Sequence, residues 1–210
     1  MPHERGFIMR ISAVIEADTI EDAHPKVLDL IHNEGDEHGD EYGAKTREVF
    51  NLMIKLKKPT EKMIPHAFHM TKMELEDYAL MYYLSPKVEG EVYTYGERML
   101  DFKGDGNHNQ IKYVIDKLKK NANSRRAVVV LWDPVRDGTK IEHPPCMDML
   151  VYNLRNGKLH CTSVFRSNDM LRAWPANAFG ITRLAEFIAG EIGCEVGTVS
   201  TLSISAHIYL

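Results

Sequence analysis

The period of the apolar positions changes repeatedly along this chain, and the changes mark its elements. Ile111, Val114, Ile115 and Leu118 stand at i, i+3, i+4 and i+7, the stripe of an amphipathic helix. Ile181, Leu184, Ile188 and Ile192 carry a similar stripe further and predict a long buried helix. Met73 to Leu84 predicts a third helix, stopped by Ser85-Pro86. Val27, Leu28, Leu30 and Ile31 predict a fourth, opened by Pro25. Strand periods separate these. Phe7 to Ala17 and Val49 to Leu56 alternate, and Ala127 to Trp132 is a continuous apolar run of strand length. Met147 to Leu154 and Lys158 to Phe165 flank Arg155-Asn156-Gly157, a strong hairpin signal. A last strand runs from Leu202 to Leu210. Asn33 to Gly43 is acidic and Gly-rich and predicts a mobile loop.

The order of these elements predicts an α+β fold, a mixed or antiparallel sheet with helices packed on it. No repeat, low-complexity tract or linker divides the chain. Its 210 residues suit one domain with a full core, and 44% hydrophobic with 27% charged residues is ordinary for a globular protein. The net charge of -4 argues against broad nucleic-acid binding, which needs a basic face, but leaves room for a small anionic ligand. No apolar run approaches the roughly 18 residues of a membrane span. No apolar signal core follows Met1-Pro2-His3-Glu4-Arg5. The cysteines Cys146, Cys161 and Cys194 form no CxxC pair, which argues against a disulfide scaffold or a metal site and for a reducing cytoplasm.

Chemistry concentrates in the second half. Cys146 follows His143-Pro144-Pro145, where two prolines fix the backbone. A free cysteine is ordinarily a small inert hydrophobe, the reading that suits Cys161 and Cys194. Cys146 is also open to a nucleophilic reading, with Arg166 as the cation that would favour its thiolate. Arg166-Ser167 and Arg125-Arg126 sit at strand ends, where guanidinium forks can grip phosphate or simply form surface ion pairs. Asn177 is either a helix N-cap or a reader of a base edge, since its amide offers both a donor and an acceptor. His207 and Tyr209 share one face of the final strand, either as ordinary polar residues or as partners for sugar hydroxyls.

Taken in order, these motifs resemble cysteine-dependent thymidylate synthases. The resemblance covers Tyr93 to Leu210, the catalytic core, and is weak over residues 1–92. It rests on Tyr95-Gly96, Asn123-Ser124-Arg125-Arg126, Pro145-Cys146, Asn156-Gly157-Lys158-Leu159-x-Cys161, Arg166-Ser167-x-Asp169, Pro175-x-Asn177 and His207-x-Tyr209. It implies methyl transfer to dUMP through a Cys146 adduct at uracil C6, with a reduced pterin as one-carbon donor and no metal. Arg166 and Ser167 would hold the phosphate, joined by Arg47 and, across a homodimer boundary, by Arg125 and Arg126. Asn177 would read the pyrimidine, His207 and Tyr209 the deoxyribose. Asp169 would contact ring and pterin, and Tyr95 would join a proton relay.

The departures are local. Met147 stands where the family has histidine, Phe165 where it has glutamine, and Ile204-Ser205 where it has Gly-Asp. The family's tryptophan segment before Tyr95-Gly96 is missing, and its C-terminal closing tail does not follow Leu210. Glu74 and Glu76 are the nearest candidates for its catalytic glutamate. This pattern resembles the short archaeal type, and the donor it implies is methylene-tetrahydromethanopterin or methylene-tetrahydrofolate. Two other readings stand beside it: a pyrimidine nucleotide hydroxymethylase, and a silent nucleotide- or RNA-binding protein on the same scaffold.

Overall fold

The computed structural model describes residues 12–138 and 144–210. The first part of the strand expected from Phe7, and His143 beside the candidate thiol, lie outside the described residues. Within them the chain forms β1 (Ala13–Ala17), α1 (Ile20–Glu34), β2 (Asp36–Gly39), β3 (Lys45–Leu56), α2 (Lys72–Tyr83) and α3 (Tyr95–Leu100). It continues with α4 (Gln110–Lys120), β4 (Ala127–Val130), β5 (Met147–Arg155), β6 (Lys158–Asp169), α5 (Trp174–Ile192) and β7 (Glu195–Tyr209). The seven strands make one mixed sheet in the order β1-β3-β7-β6-β5-β4, with β2 added along β3. The β1–β3 and β6–β7 pairs are parallel and the rest antiparallel, in line with the α+β expectation.

The helices form one layer on the sheet, with α5 at its centre against α1, α2 and α4. The first half of α5 joins a core with α1, β1 and β3: Ala178 and Phe179 pack with Ile20, Val27, Leu52 and Ile54. Its second half joins a core with α4, β5 and β6: Ile181, Leu184 and Ile188 pack with Ile111, Val114, Leu150 and Phe165. Each such side chain contributes about 1.5–3 kcal/mol when fully buried. The alternate strand positions point the other way, and Val14, Val130 and Ile204 remain exposed there.

Three elements differ from the sequence reading. α1 starts at Ile20, five residues before Pro25, because Thr19 caps it: the Asp22 N–H donates to Thr19 Oγ1 at 3.1 Å. Pro25 therefore lies inside the helix, where it forgoes one backbone hydrogen bond. The segment expected as a mobile loop is ordered by pairing. Asp36–Gly39 forms β2 antiparallel to Lys45–Glu48, and Asp40 Oδ1 closes the turn by accepting from the Tyr42 and Ala44 N–H groups at 2.9 and 2.7 Å. α3 had no apolar stripe long enough to announce it. It is held instead by its Thr94 cap and by buried Arg98, whose guanidinium pairs with Asp137 at 2.7 Å and donates to the Leu131 carbonyl. The hairpin at Asn156-Gly157 forms as expected, with φ of 51° and 73°, the left-handed values of a two-residue turn.

Candidate active site

Strand register assembles the site. Met147 on β5 pairs with Phe165 on β6, which sets Cys146 beside Arg166. Ser167 and Asp169 on β6 pair with Ser205 and His207 on β7, and β7 in turn sets His207 against Glu48 and Tyr209 against Thr46 of β3. These strand ends and α2 enclose a cavity of about 710 Å³. Cys146, Tyr95, Asp169, Arg166, Ser167, Asn177, His207 and Tyr209 all line it. Tyr95 and Tyr209 are 114 residues apart in sequence (209 − 95), and the fold brings them to one cavity.

Arg166 is locked by its own neighbours. Its Nε donates to the Pro145 carbonyl at 3.0 Å, its Nη2 to the Pro144 carbonyl at 2.9 Å, and its backbone N–H to the Cys146 carbonyl at 2.9 Å. The guanidinium lies 5.7 Å from the centre of the Trp132 ring. Nη2 is 3.9 Å from Cys146 Sγ. The expected thiolate-favouring cation is thus in place, yet burial outweighs it: the Cys146 thiol is pushed above its ordinary range, with Arg166 pulling down and Asp148 pushing up. Burial also raises the Asp148 carboxyl to about 6, against the pull of Arg166. Cys161 is buried in the core and its thiol is raised to about 12, an inert position, and Cys194 is half-buried outside the cavity.

Asn177 is not an N-cap. It lies one turn inside α5, which begins at Trp174 without a side-chain cap, and is 4% exposed. Its Oδ1 accepts from the Tyr78 hydroxyl at 2.8 Å and the Tyr83 hydroxyl at 3.0 Å. Tyr95 is nearly buried beside the Met147 backbone, and burial raises the pKa of its hydroxyl well above the ordinary value. His207 stacks edge-on to Tyr209, with ring centres 5.3 Å apart. Burial lowers the His207 pKa, and the nearby Asp169 and Glu48 carboxylates act the other way.

Three of the arginines expected at the ligand do not line this cavity. Arg47 alternates onto the opposite face of β3, level with Ile208, where it pairs with Glu37 and donates to the His32 carbonyl at 2.9 Å. Arg125 and Arg126 are exposed in the turn before β4. Glu74 is spent in the capping box of α2 with Thr71, and Glu76 pairs with Arg183, so neither candidate carboxylate reaches the cavity. Its acidic residues are Asp40, Glu41, Glu48 and Asp169. Glu48 is held by Ser205, whose hydroxyl donates to it at 2.5 Å. Met147 and Phe165 are wholly buried, so these two departures from the family shape the core and not the cavity wall. Sequence reasoning missed Glu48, Tyr78, Tyr93 and Trp132. The tyrosines lay within a recognised helix and beside a recognised motif, but nothing local tells a lining tyrosine from a core one.

A recessed thiol thus lies beside a guanidinium, in one cavity with a side-chain amide and a His-x-Tyr pair. Residues 77–210 match the thymidylate synthase family model, and the chain belongs to that family. It is 41% identical over 199 residues to a protein of Methanosarcina barkeri named "putative thymidylate synthase", covering 95% of this chain and 90% of that one. Proteins of the same name from Methanothermobacter thermautotrophicus and Methanocaldococcus jannaschii are 37% and 33% identical, each covering 93% of this chain and 92% and 90% of their own length. The chain is therefore an enzyme of the thymidylate synthase type. Among the described residues, no helix is long and apolar enough to cross a membrane and no three His, Cys, Asp or Glu are grouped to hold a metal ion.

Proposed function

We propose that the protein methylates dUMP to dTMP, with Cys146 as the nucleophile. The observation that carries this reading is the convergence of Cys146, Arg166, Asn177 and His207 on one cavity large enough for a nucleotide and a second ring system. Arg166 and Ser167 bind the phosphate, and Arg125 and Arg126 complete its shell from the partner subunit of a homodimer. Asn177 orients the pyrimidine. His207 and Tyr209 meet the deoxyribose hydroxyl. Cys146 loses its proton as it adds to C6, and the electron pair displaced from the C5–C6 bond makes C5 nucleophilic. Asp169 and Tyr95 handle protons at the ring.

The one-carbon donor is a reduced pterin, which supplies a methylene carbon and a hydride. The residues present fit such a group. Tyr93 and Trp132 offer ring faces on the cavity wall, and the Asp169 carboxylate can accept from pterin N–H groups. The single sheet draws on strands before residue 77 and on strands within residues 77–210, the part that the family model matches, and we take the whole as one catalytic domain.

Incubation with dUMP and either methylene-tetrahydrofolate or methylene-tetrahydromethanopterin, with mass analysis of the nucleotide, tests the reading. A product heavier than dUMP by a methyl group in place of hydrogen is expected. The carrier that supports it identifies the donor. A hydroxymethyl product would replace the proposal by hydroxymethyl transfer, and no nucleotide binding at all would overturn it.

A further inference from the structure

Arg98 and Asp137 form an ion pair whose two side chains are both wholly buried. Burying two charges is costly, and an apolar pair of similar volume is often as stable or more so. Stability alone therefore does not account for the pair. Among the described residues Arg98 Nε even lacks a partner. What the pair supplies is geometry. Arg98 Nη1 and Nη2 meet the two carboxylate oxygens of Asp137 at 2.9 and 2.7 Å, fork against fork. Nη1 also donates to the Leu131 carbonyl at 3.2 Å. Asp137 in turn accepts from the Asp133 N–H at 2.8 Å and donates its own N–H to the Asp133 carbonyl at 2.8 Å.

The residue between these two anchors is Trp132. Leu131 and Asp133, on either side of it, are fastened to the buried pair, and its own N–H donates to the Asp148 carbonyl at 3.2 Å. Trp132 is half-buried and lines the cavity, and the Arg166 guanidinium lies over its ring. Arg98 sits one turn along α3 from Tyr95, another wall residue, so the pair ties two parts of the wall together.

We propose that the buried Arg98–Asp137 pair is a positioning device that sets Trp132 against Arg166 and so fixes the guanidinium at the Cys146 thiol. A guanidinium can stack on an indole face and keep its edge donors for other partners. Arg166 spends that edge on the Pro144 and Pro145 carbonyls and brings Nη2 to 3.9 Å from Sγ. Without the ring it keeps the carbonyls but loses the face that limits its swing. Distance decides what it does to the thiol, since a cation favours a thiolate only from close by. The functional meaning of this device rests on the reading of Cys146 as the nucleophile, but its geometry can be probed without a nucleotide.

Alkylation of Cys146 by iodoacetamide, an uncharged reagent, tests it on the free protein, followed against pH by mass mapping of the modified peptide. The charged groups facing the thiol are Arg166 and Asp148, with the Tyr78, Tyr93 and Tyr95 phenols near it. Arg98→Met/Asp137→Leu replaces the pair by apolar side chains and should still fold, as a thermal melt will show. Its alkylation on the rising limb should be about threefold slower, with the limb moved to higher pH. Trp132→Leu should move the limb the same way. In an Arg166→Ala background neither change should move it further, because no guanidinium is left to place. Should the double variant not fold, Arg98→Lys, which keeps the buried charge but not the fork, carries the test with the same expected shift. A lower melting temperature with an unmoved limb would make the pair purely structural and overturn the proposal. So would an equal shift without Arg166. A limb that moves as expected in a protein that binds no dUMP would sink the proposed function and leave the positioning role standing.

Discussion

The two walls of the cavity differ in origin and in charge. One, built from the start of β5 and the ends of β6 and β7, carries Cys146, Arg166, Ser167 and His207. The other, built from the β2–β3 hairpin and α2, carries Asp40, Glu41, Glu48 and Tyr78. The first wall holds the Cys146 thiol and the guanidinium that sits 3.9 Å from it. The second is acidic and has turned its one nearby arginine, Arg47, onto the opposite face of the sheet. The Arg166 guanidinium favours an anion at the first wall, where Asp169 also stands, and the carboxylates of the second wall disfavour one. The lesson is that the site's polarity comes from which face of β3 each side chain takes, a property of strand alternation and not of net composition.

Cys146→Ser is the most severe way to probe the first wall. It should lower turnover by at least about a thousandfold while dUMP affinity stays within a few-fold, measured by steady-state rate and calorimetry. Near-normal turnover would exclude covalent catalysis through this wall. Arg166→Ala should come next. Loss of a charge-assisted contact worth about 1.5–3 kcal/mol predicts a tenfold or greater loss of dUMP affinity and little change for deoxyuridine. Equal losses for the two ligands would mean that Arg166 acts by holding Pro144 and Pro145 in place.

Mixing Arg126→Ala with Cys146→Ser protein asks whether the cationic wall is completed by a second chain. Heterodimers should regain part of the wild-type activity, because one hybrid site carries both intact residues. Demonstrated subunit exchange without rescue would assign each site to a single chain. Asp148→Asn sharpens the same wall through pH. The thiol is raised by burial and by Asp148, so activity should climb as pH rises through the thiol's pKa. Removing the carboxylate should shift that limb to lower pH in a kcat/KM profile. An unmoved limb would free Asp148 of any influence on the nucleophile. The smallest effect belongs to the second wall. Asp40→Asn and Glu41→Gln should leave dUMP binding unchanged or slightly tighter, by up to about threefold at low ionic strength. Weaker binding would show that the acidic wall also grips the nucleotide.

Legibility followed the range of the physics. The α4 stripe, the Asn156-Gly157 hairpin and the α5 core face were readable because a helix period or a two-residue turn is decided within a few residues. β2 and α3 were not. α3 depends on Asp137, 39 residues beyond Arg98, and β2 is a polar segment with no strand period that forms by pairing with the adjacent β3. The site divides the same way. Cys146, Arg166-Ser167, Asn177 and His207-x-Tyr209 stood out as residue types in an ordered spacing. Glu48 and Tyr78 did not, since a carboxylate on a strand and a tyrosine on a helix carry no local mark of what they face.

The sequence by itself determined the inventory: a thiol after two prolines, an Arg-Ser pair, one amide and a polar pair on a terminal strand, together with the helices and the hairpin that carry them. Tertiary structure alone decided how they act. Burial outweighed Arg166 and raised the Cys146 thiol above its ordinary range, because desolvating a charge costs more than one partly exposed cation returns. Strand alternation sent Arg47 away from the cavity and Glu48 into it. Contact between α2 and α5 set the Tyr78 and Tyr83 hydroxyls against the Asn177 amide, because hydrogen-bond partners are chosen among neighbours in space and not along the chain.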